Sequence, residues 1–112
     1  MMMFDDYQRQ TGATAIYPGK GELAGFSYCG LKLAGEAGEV AEKIGKAIRD
    51  DGGVITQERN QALQAELGDV LWYLAQLAEQ LGTTLGAVAQ ANLDKLNSRK
   101  QRGVLGGSGD NR

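Results

Sequence analysis

Apolar residues recur at intervals of three and four along two long stretches of the chain, which is the period of an α-helix with one face toward a core. The first apolar face runs from Leu33 to Ala47, and the second runs from Leu63 to Leu81. Pro18 is the single proline among 112 residues, and β-branched residues are few, so helix is favoured over sheet. A chain of this length builds one domain around one core. We therefore expect an all-α fold.

Turn and capping residues divide the chain into four predicted helices. Thr56 and Thr84 are suitable N-caps, and Gly82 is a suitable end for the third helix. Four amphipathic helices with short joins predict a four-helix bundle over residues 1–102. Residues 103–112 have no periodicity and little to bury, so we expect a flexible tail there. The predicted helices run from Phe4 to about Thr11, from about Leu23 to Asp50, from just after Thr56 to about Leu81, and from Leu85 to about Lys100.

The composition excludes several classes of function. The chain has no histidine, which rules out histidine-activated nucleophiles and histidine-bound zinc. Cys29 is the only cysteine, so no disulfide can form within the chain and a reducing compartment is expected. A net charge of −2 gives no reason to expect a nucleic-acid partner. With neither a signal peptide pattern nor an apolar run long enough to span a bilayer, we expect a cytoplasmic protein without a membrane partner.

Two acid pairs, Glu36/Glu39 and Glu66/Asp69, lie along the edges of the two apolar faces. The spacing within each pair puts both carboxylates on one side of a helix. If the two helices pack antiparallel, all four acids face one cleft, where they repel one another unless a cation lies between them. Hard divalent cations such as Mg²⁺ prefer oxygen ligands of this kind. The alternative is a solvated helix surface, but a position at the rim of the core favours a metal site.

Cationic and amide side chains could meet the charges of a polyphosphate beside these acids. Asn92, Lys95 and Arg99 are spaced three and four apart and share one face of the fourth helix. Lys32, Lys43 and Lys46 lie in the same angular sector as the first acid pair. For Lys43 and Lys46, ordinary pairing with a glutamate four residues away is at least as good an interpretation.

Two aromatic residues follow the second acid pair. Tyr73 lies one turn after Asp69, so it could contact the base, sugar or phosphate of a nucleotide, or it could be a core aromatic. Trp72 points away from the acid edge by roughly 90° on a helical projection, which favours the core or a subunit contact.

Small residues form a stripe on the second helix, where they are spaced four, three and four apart. Such a stripe lets another helix approach closely, although the surrounding fold could equally well just tolerate glycines that each destabilise a helix by about 0.5–1 kcal/mol. The stripe consists of Ala34, Gly38, Ala41 and Gly45.

Three segments together resemble the MazG-like family of all-α nucleoside triphosphate pyrophosphohydrolases, whose pattern is E-x-x-E, a spacer, then E-x-x-D. The segments are LKLAGEAGEVAEKI (Leu31 to Ile44), ELGDVLWYLAQLA (Glu66 to Ala78) and ANLDKLNSRKQRG (Ala91 to Gly103). The resemblance covers most of the chain, and the paired motif is more specific than either acid pair alone.

This resemblance implies an enzyme that cleaves a nucleoside triphosphate between the α and β phosphates, giving a monophosphate and pyrophosphate. It also implies Mg²⁺ as the cofactor, with Mn²⁺ as a possible substitute, and assembly into dimers or tetramers. The implied metal ligands are Glu36, Glu39, Glu66 and Asp69, and the implied phosphate-binding residues are Asn92, Lys95 and Arg99.

One departure from the family pattern concerns the base. Many members have a further glutamate just before the first motif acid, where this chain has Gly35. The base is then either a hydroxide on the metal or a motif glutamate, of which Glu39 is the best candidate. Two other functions stay open: a narrower activity on dUTP, dCTP or phosphoribosyl-ATP, and a non-catalytic helical module for regulation or protein interaction.

Overall fold

A computed structural model describes all 112 residues, which form four α-helices and no strand. A short 3-10 turn, Gly12–Thr14, follows the first helix. The all-α prediction is confirmed, and each helix begins and ends within about one residue of its predicted position. The helices are α1 (Phe4–Thr11), α2 (Leu23–Asp50), α3 (Gln57–Gln80) and α4 (Leu85–Gln101).

Local signals set the ends of α3 and α4. The Thr56 hydroxyl accepts a hydrogen bond from the backbone N–H of Arg59 at 3.2 Å, and Thr84 does the same for Ala87 at 3.1 Å. Each contact satisfies one of the backbone donors that the first turn of a helix leaves unpaired. Gly82 follows α3 with a φ of 72°, a conformation that favours glycine.

Helices α2 and α3 pack antiparallel and make the most extensive helix contact in the chain. Lys43, late in α2, forms an ion pair with Glu66 in α3, and Asp51, just past the end of α2, pairs with Arg59 in the first turn of α3. Residues early in α2 therefore face residues late in α3, which is the arrangement that brings the two acid pairs together.

A buried polar network fixes α1 and the following connector against α3. The amide of Gln76, which is fully buried, donates to the Thr11 hydroxyl at 2.7 Å and accepts from the Tyr17 hydroxyl at 2.9 Å. Gln8 accepts from the backbone N–H of Leu85 at 2.6 Å, which ties α1 to the start of α4. Because buried polar groups are costly when unpaired, this network determines how residues 11–17 cross α3.

The core of the single chain is small. Only 11 of the 112 residues are buried, and the apolar faces of α2 and α3 remain partly open, with Leu67 55% and Ile48 65% exposed. Every residue of α4 from 91 to 98 is exposed. The radius of gyration is 16.9 Å, against about 13 Å for a compact chain of this length. None of the helices combines the length and hydrophobicity that a membrane-spanning segment needs.

Residues 103–112 form turns and bends without helix or strand. Arg112 donates hydrogen bonds to four backbone carbonyls between residues 104 and 109, which closes the segment on itself. Arg99 of α4 donates to the backbone carbonyl of Asp110 at 3.0 Å. The segment therefore folds back on the end of α4.

Candidate metal centre

Three carboxylates from α2 and α3 meet in one group, called the acid group below: Glu36, Glu66 and Asp69. Each places a carboxylate oxygen within 4.8 Å of the other two. Glu36 and Glu66 are half-buried and Asp69 is exposed. The antiparallel packing of the two helices and the spacing of three between Glu66 and Asp69 together produce this meeting.

Electrostatic repulsion dominates the acid group. Burial raises the pKa of Glu36, and the negative charges of Asp69 and Glu66 raise it further. The ammonium of Lys43 lies 3.2 Å from Glu66 Oε1 and forms the one ion pair with the group. All donors are carboxylate oxygens, the ligands that Mg²⁺ and Mn²⁺ prefer. The group is therefore suited to a hard divalent cation.

Glu39, the fourth acid of the predicted set, lies outside the acid group. Its side chain is exposed, and its position is about 4.5 Å further along α2 than that of Glu36. The roles of metal ligand and base that the sequence suggests for Glu39 stay predictions.

Two adjoining cavities lie beside the acid group, and both are lined by Thr14, Trp72 and Tyr73. The first has a volume of about 320 Å³ and includes Glu36 and Asp69 in its wall. The second has a volume of about 300 Å³, and its wall is completed by Ile16, Tyr17, Pro18 and Tyr28. An acidic cavity thus opens beside one with aromatic walls.

The aromatic side chains that separate the two cavities contact one another. Trp72 Nε1 donates to the Thr14 hydroxyl at 2.9 Å, and the Trp72 and Tyr73 rings meet edge to face with centroids 4.9 Å apart. Burial and the neighbouring Tyr28 hydroxyl raise the pKa of Tyr73 to about 12. Tyr73 is therefore a neutral hydroxyl at physiological pH, able to donate a hydrogen bond to a ligand.

Sequence reasoning missed most residues of these walls, among them Trp72, Tyr28 and Thr14. Trp72 lines the acidic cavity, although its angle on the helical projection favours the core. Its spacing of three from Asp69 places the two side chains on neighbouring turns, and this spacing was the available signal. Tyr28 and Thr14 gave no local signal, because their positions depend on how α2 and the connector pack against α3.

The three predicted phosphate-binding residues of α4 have different environments. Asn92 and Lys95 are exposed, whereas Arg99 is only 5% exposed and is held by Asp110. Within the chain, none of the three forms an ion pair or a hydrogen bond with the acid group. Their role at the phosphates stays a prediction.

Comparisons with known proteins agree with this architecture. The family model for the MazG nucleotide pyrophosphohydrolase domain matches residues 27–104, which include both acid pairs and all of α4. The chain is also 58% identical, over 114 aligned residues, to the Gene 37 protein of Mycobacterium phage L5, and the match covers 99% of this chain and 100% of that protein. No solved structure matches the chain. The chain belongs to the MazG nucleotide pyrophosphohydrolase family.

Proposed function

We propose that the chain is a magnesium-dependent nucleoside triphosphate pyrophosphohydrolase that cleaves between the α and β phosphates. The products are a nucleoside monophosphate and pyrophosphate. The observation that supports this most is the meeting of Glu36, Glu66 and Asp69 within 4.8 Å of one another beside a cavity, in a chain of this family. Carboxylates gathered so closely destabilise one another, and a non-catalytic module has no need of them.

The residues present fit a hard divalent cation, which Glu36, Glu66 and Asp69 would hold. Glu39 is close enough along α2 to take part through a water molecule. When bound, the ion would neutralise the triphosphate, polarise the α-phosphorus and activate the attacking water. All three side chains are carboxylates, so the protein would provide only anionic oxygen ligands to the ion.

The side chains around the acid group have separate tasks in this proposal. Glu39 is exposed and carries no ion pair, so it can orient the attacking water or accept its proton. Tyr73 donates its hydroxyl to the substrate. The aromatic walls of the second cavity stack against the base, an interaction worth about 1–3 kcal/mol per base.

Asn92, Lys95 and Arg99 bind the β and γ phosphates as pyrophosphate leaves. Lys95 is exposed and can turn toward the substrate. Arg99 is held at the Asp110 carbonyl through Nη2, which leaves its remaining N–H groups for a phosphate oxygen.

The test is a panel of nucleoside triphosphates, including noncanonical and pyrimidine nucleotides and phosphoribosyl-ATP, incubated with Mg²⁺ and separated by chromatography. We expect monophosphate and pyrophosphate from at least one of them, no turnover in chelator, and recovery with Mn²⁺. A diphosphate and orthophosphate would contradict attack at the α-phosphorus. Turnover of dUTP, dCTP or phosphoribosyl-ATP alone would favour the narrower enzyme, and no turnover at all would favour the interaction module.

A further inference from the structure

Lys43 pairs across the helix interface and not along its own helix. Its ammonium lies 3.2 Å from Glu66 Oε1 on α3. Lys46, three residues later, makes the ordinary contact, an i,i+4 pair with Glu42 at 3.3 Å on the surface of α2. The two lysines therefore look alike in the sequence but have different partners in the structure.

The environment of the Lys43 pair is partly buried. The Glu66 side chain is 16% exposed and the Lys43 side chain 31% exposed, against 57% and 48% for Glu42 and Lys46. Water screens a pair less as its exposure falls, so the Lys43 contact is the stronger of the two. With three carboxylates and one ammonium, the acid group and Lys43 together carry a formal charge of −2, which one divalent cation balances.

We propose that Lys43 is the counter-ion of the acid group before metal binds and that it turns to a substrate phosphate once the metal has bound. A divalent cation bound by Glu66 lies within a few ångströms of the ammonium at Oε1, and the repulsion between the two positive charges weakens the Lys43 contact. The lysine stem has four rotatable bonds and is partly exposed, so the ammonium can leave while α2 stays in place. The freed ammonium can then reach Glu39, one turn away on α2, or the triphosphate, and the triphosphate carries the larger negative charge. This inference rests on the proposed function.

Two measurements without turnover test the first half of the inference. Thermal unfolding in chelator and Mn²⁺ titration are run on Lys43→Met and on the matched control Lys46→Met. We expect Lys43→Met to lower the metal-free Tm by roughly 4 °C or more, since the acid group loses its counter-ion. The same change should tighten Mn²⁺ binding about fivefold, since a competing charge is gone. The Tm difference should disappear at saturating Mn²⁺, and Lys46→Met should resemble the wild type throughout.

A binding measurement tests the second half. Inorganic tripolyphosphate is titrated into the Mn²⁺-loaded protein, and we expect Lys43→Met to weaken its binding about tenfold while Lys43→Arg stays close to the wild type. If the wild-type protein hydrolyses nucleotides, KM should rise in Lys43→Met and not in Lys46→Met.

Three other results would contradict the inference or the function on which it rests. If Lys43→Met and Lys46→Met have the same Mn²⁺ affinity and the same metal-free Tm, Lys43 is not the counter-ion of the acid group. If Lys43→Met binds tripolyphosphate as tightly as the wild type, Lys43 does not move to a substrate phosphate. A wild-type protein that hydrolyses no nucleotide would refute the proposed function, whereas the chelator and Mn²⁺ measurements would still decide the role of Lys43 before metal binding.

Discussion

At the scale of single residues, the acid group brings three carboxylates together at the expense of stability. Glu36, Glu66 and Asp69 repel one another, and the ion pair with Lys43 and the nearby charge of Lys32 offset that repulsion only in part. Such an arrangement stabilises the folded chain less than neutral side chains of the same shape would. Its persistence in the fold is understandable if the three carboxylates serve a ligand.

Neutral variants of the acids separate function from stability. We expect Glu66→Gln and Asp69→Asn, and also Glu39→Gln, each to lower kcat/KM by about 100-fold or more, since they remove a metal ligand or the base. The metal-free Tm should stay equal or rise for Asp69→Asn, because a repelling charge is gone, whereas Glu66→Gln also loses the ion pair with Lys43. Glu42→Gln, on the exposed side of α2, is the control. Loss of helicity together with retained, metal-independent turnover would show that the acids are structural.

The raised pKa of Glu36 predicts a pH dependence of the metal-free protein. Since the pKa lies above its ordinary value of 4.5, the folded chain holds this proton more tightly than the unfolded chain does. The stability that this group contributes is therefore complete below pH 4.5 and is lost as the pH rises through the higher folded value. In chelator, the Tm of Glu36→Gln minus that of the wild type should increase over this pH range. A constant difference would contradict the raised pKa.

Residue positions within one helix were predictable, whereas partners across helices were not. The spacing of Glu66 and Asp69 and their place at the edge of an apolar face pointed to the acid group directly. The partner of Lys43 could not be predicted from the sequence. Glu39, four residues earlier, is as good a partner by spacing as Glu66, and only the packing of α2 against α3 decides between them. The same holds for the Thr14 hydroxyl, which contacts Trp72 from a segment 58 residues away.

At the scale of elements, helix ends follow from local chemistry and loop paths do not. Thr56, Thr84 and Gly82 act within four residues of their positions, so sequence alone located the ends of α3 and α4. The path of residues 12–18 depends on Gln76, an amide whose burial nothing in its sequence neighbourhood indicates. For that reason the aromatic cavity was absent from the sequence-based description of the site.

Helix α4 allows a comparison of two cations with different surroundings. Lys95→Ala and Arg99→Ala should both weaken phosphate contacts, raising KM or lowering kcat by about tenfold. Only Arg99→Ala should also lower the Tm, because Arg99 is buried against Asp110 whereas Lys95 is exposed. Steady-state kinetics and thermal unfolding of both variants check this. Equal Tm values would mean that the contact with Asp110 contributes no stability.

At the scale of the whole molecule, the single chain leaves much apolar surface open, and we propose that a homo-oligomer covers it. Leu31 and Leu81 are 75% and 66% exposed, and residues 91–98 of α4 are uncovered. Exposed apolar patches are typical of protein interaction surfaces. We expect at least a dimer in sedimentation experiments at low micromolar concentration. A compact, active monomer would refute this.

The small-residue stripe of α2 locates one candidate contact in that oligomer. A side chain added at Gly38 or Gly45 would meet nothing within 4 Å in the single chain. Gly38→Leu and Gly45→Leu should therefore leave the helical content intact but weaken assembly, if the stripe is the subunit contact. Gly35→Leu, at an open glycine of the same helix roughly 90° away from the stripe, is the control. Normal assembly of both variants would exclude the stripe.

The position of Trp72 has an optical consequence. It is the only tryptophan in the chain, and its indole lines both cavities and donates to Thr14 at their shared wall. All intrinsic tryptophan emission therefore originates at the candidate site. The unmodified protein carries its own fluorescent probe of ligand entry, so changes in its emission spectrum can report occupancy in real time without a label.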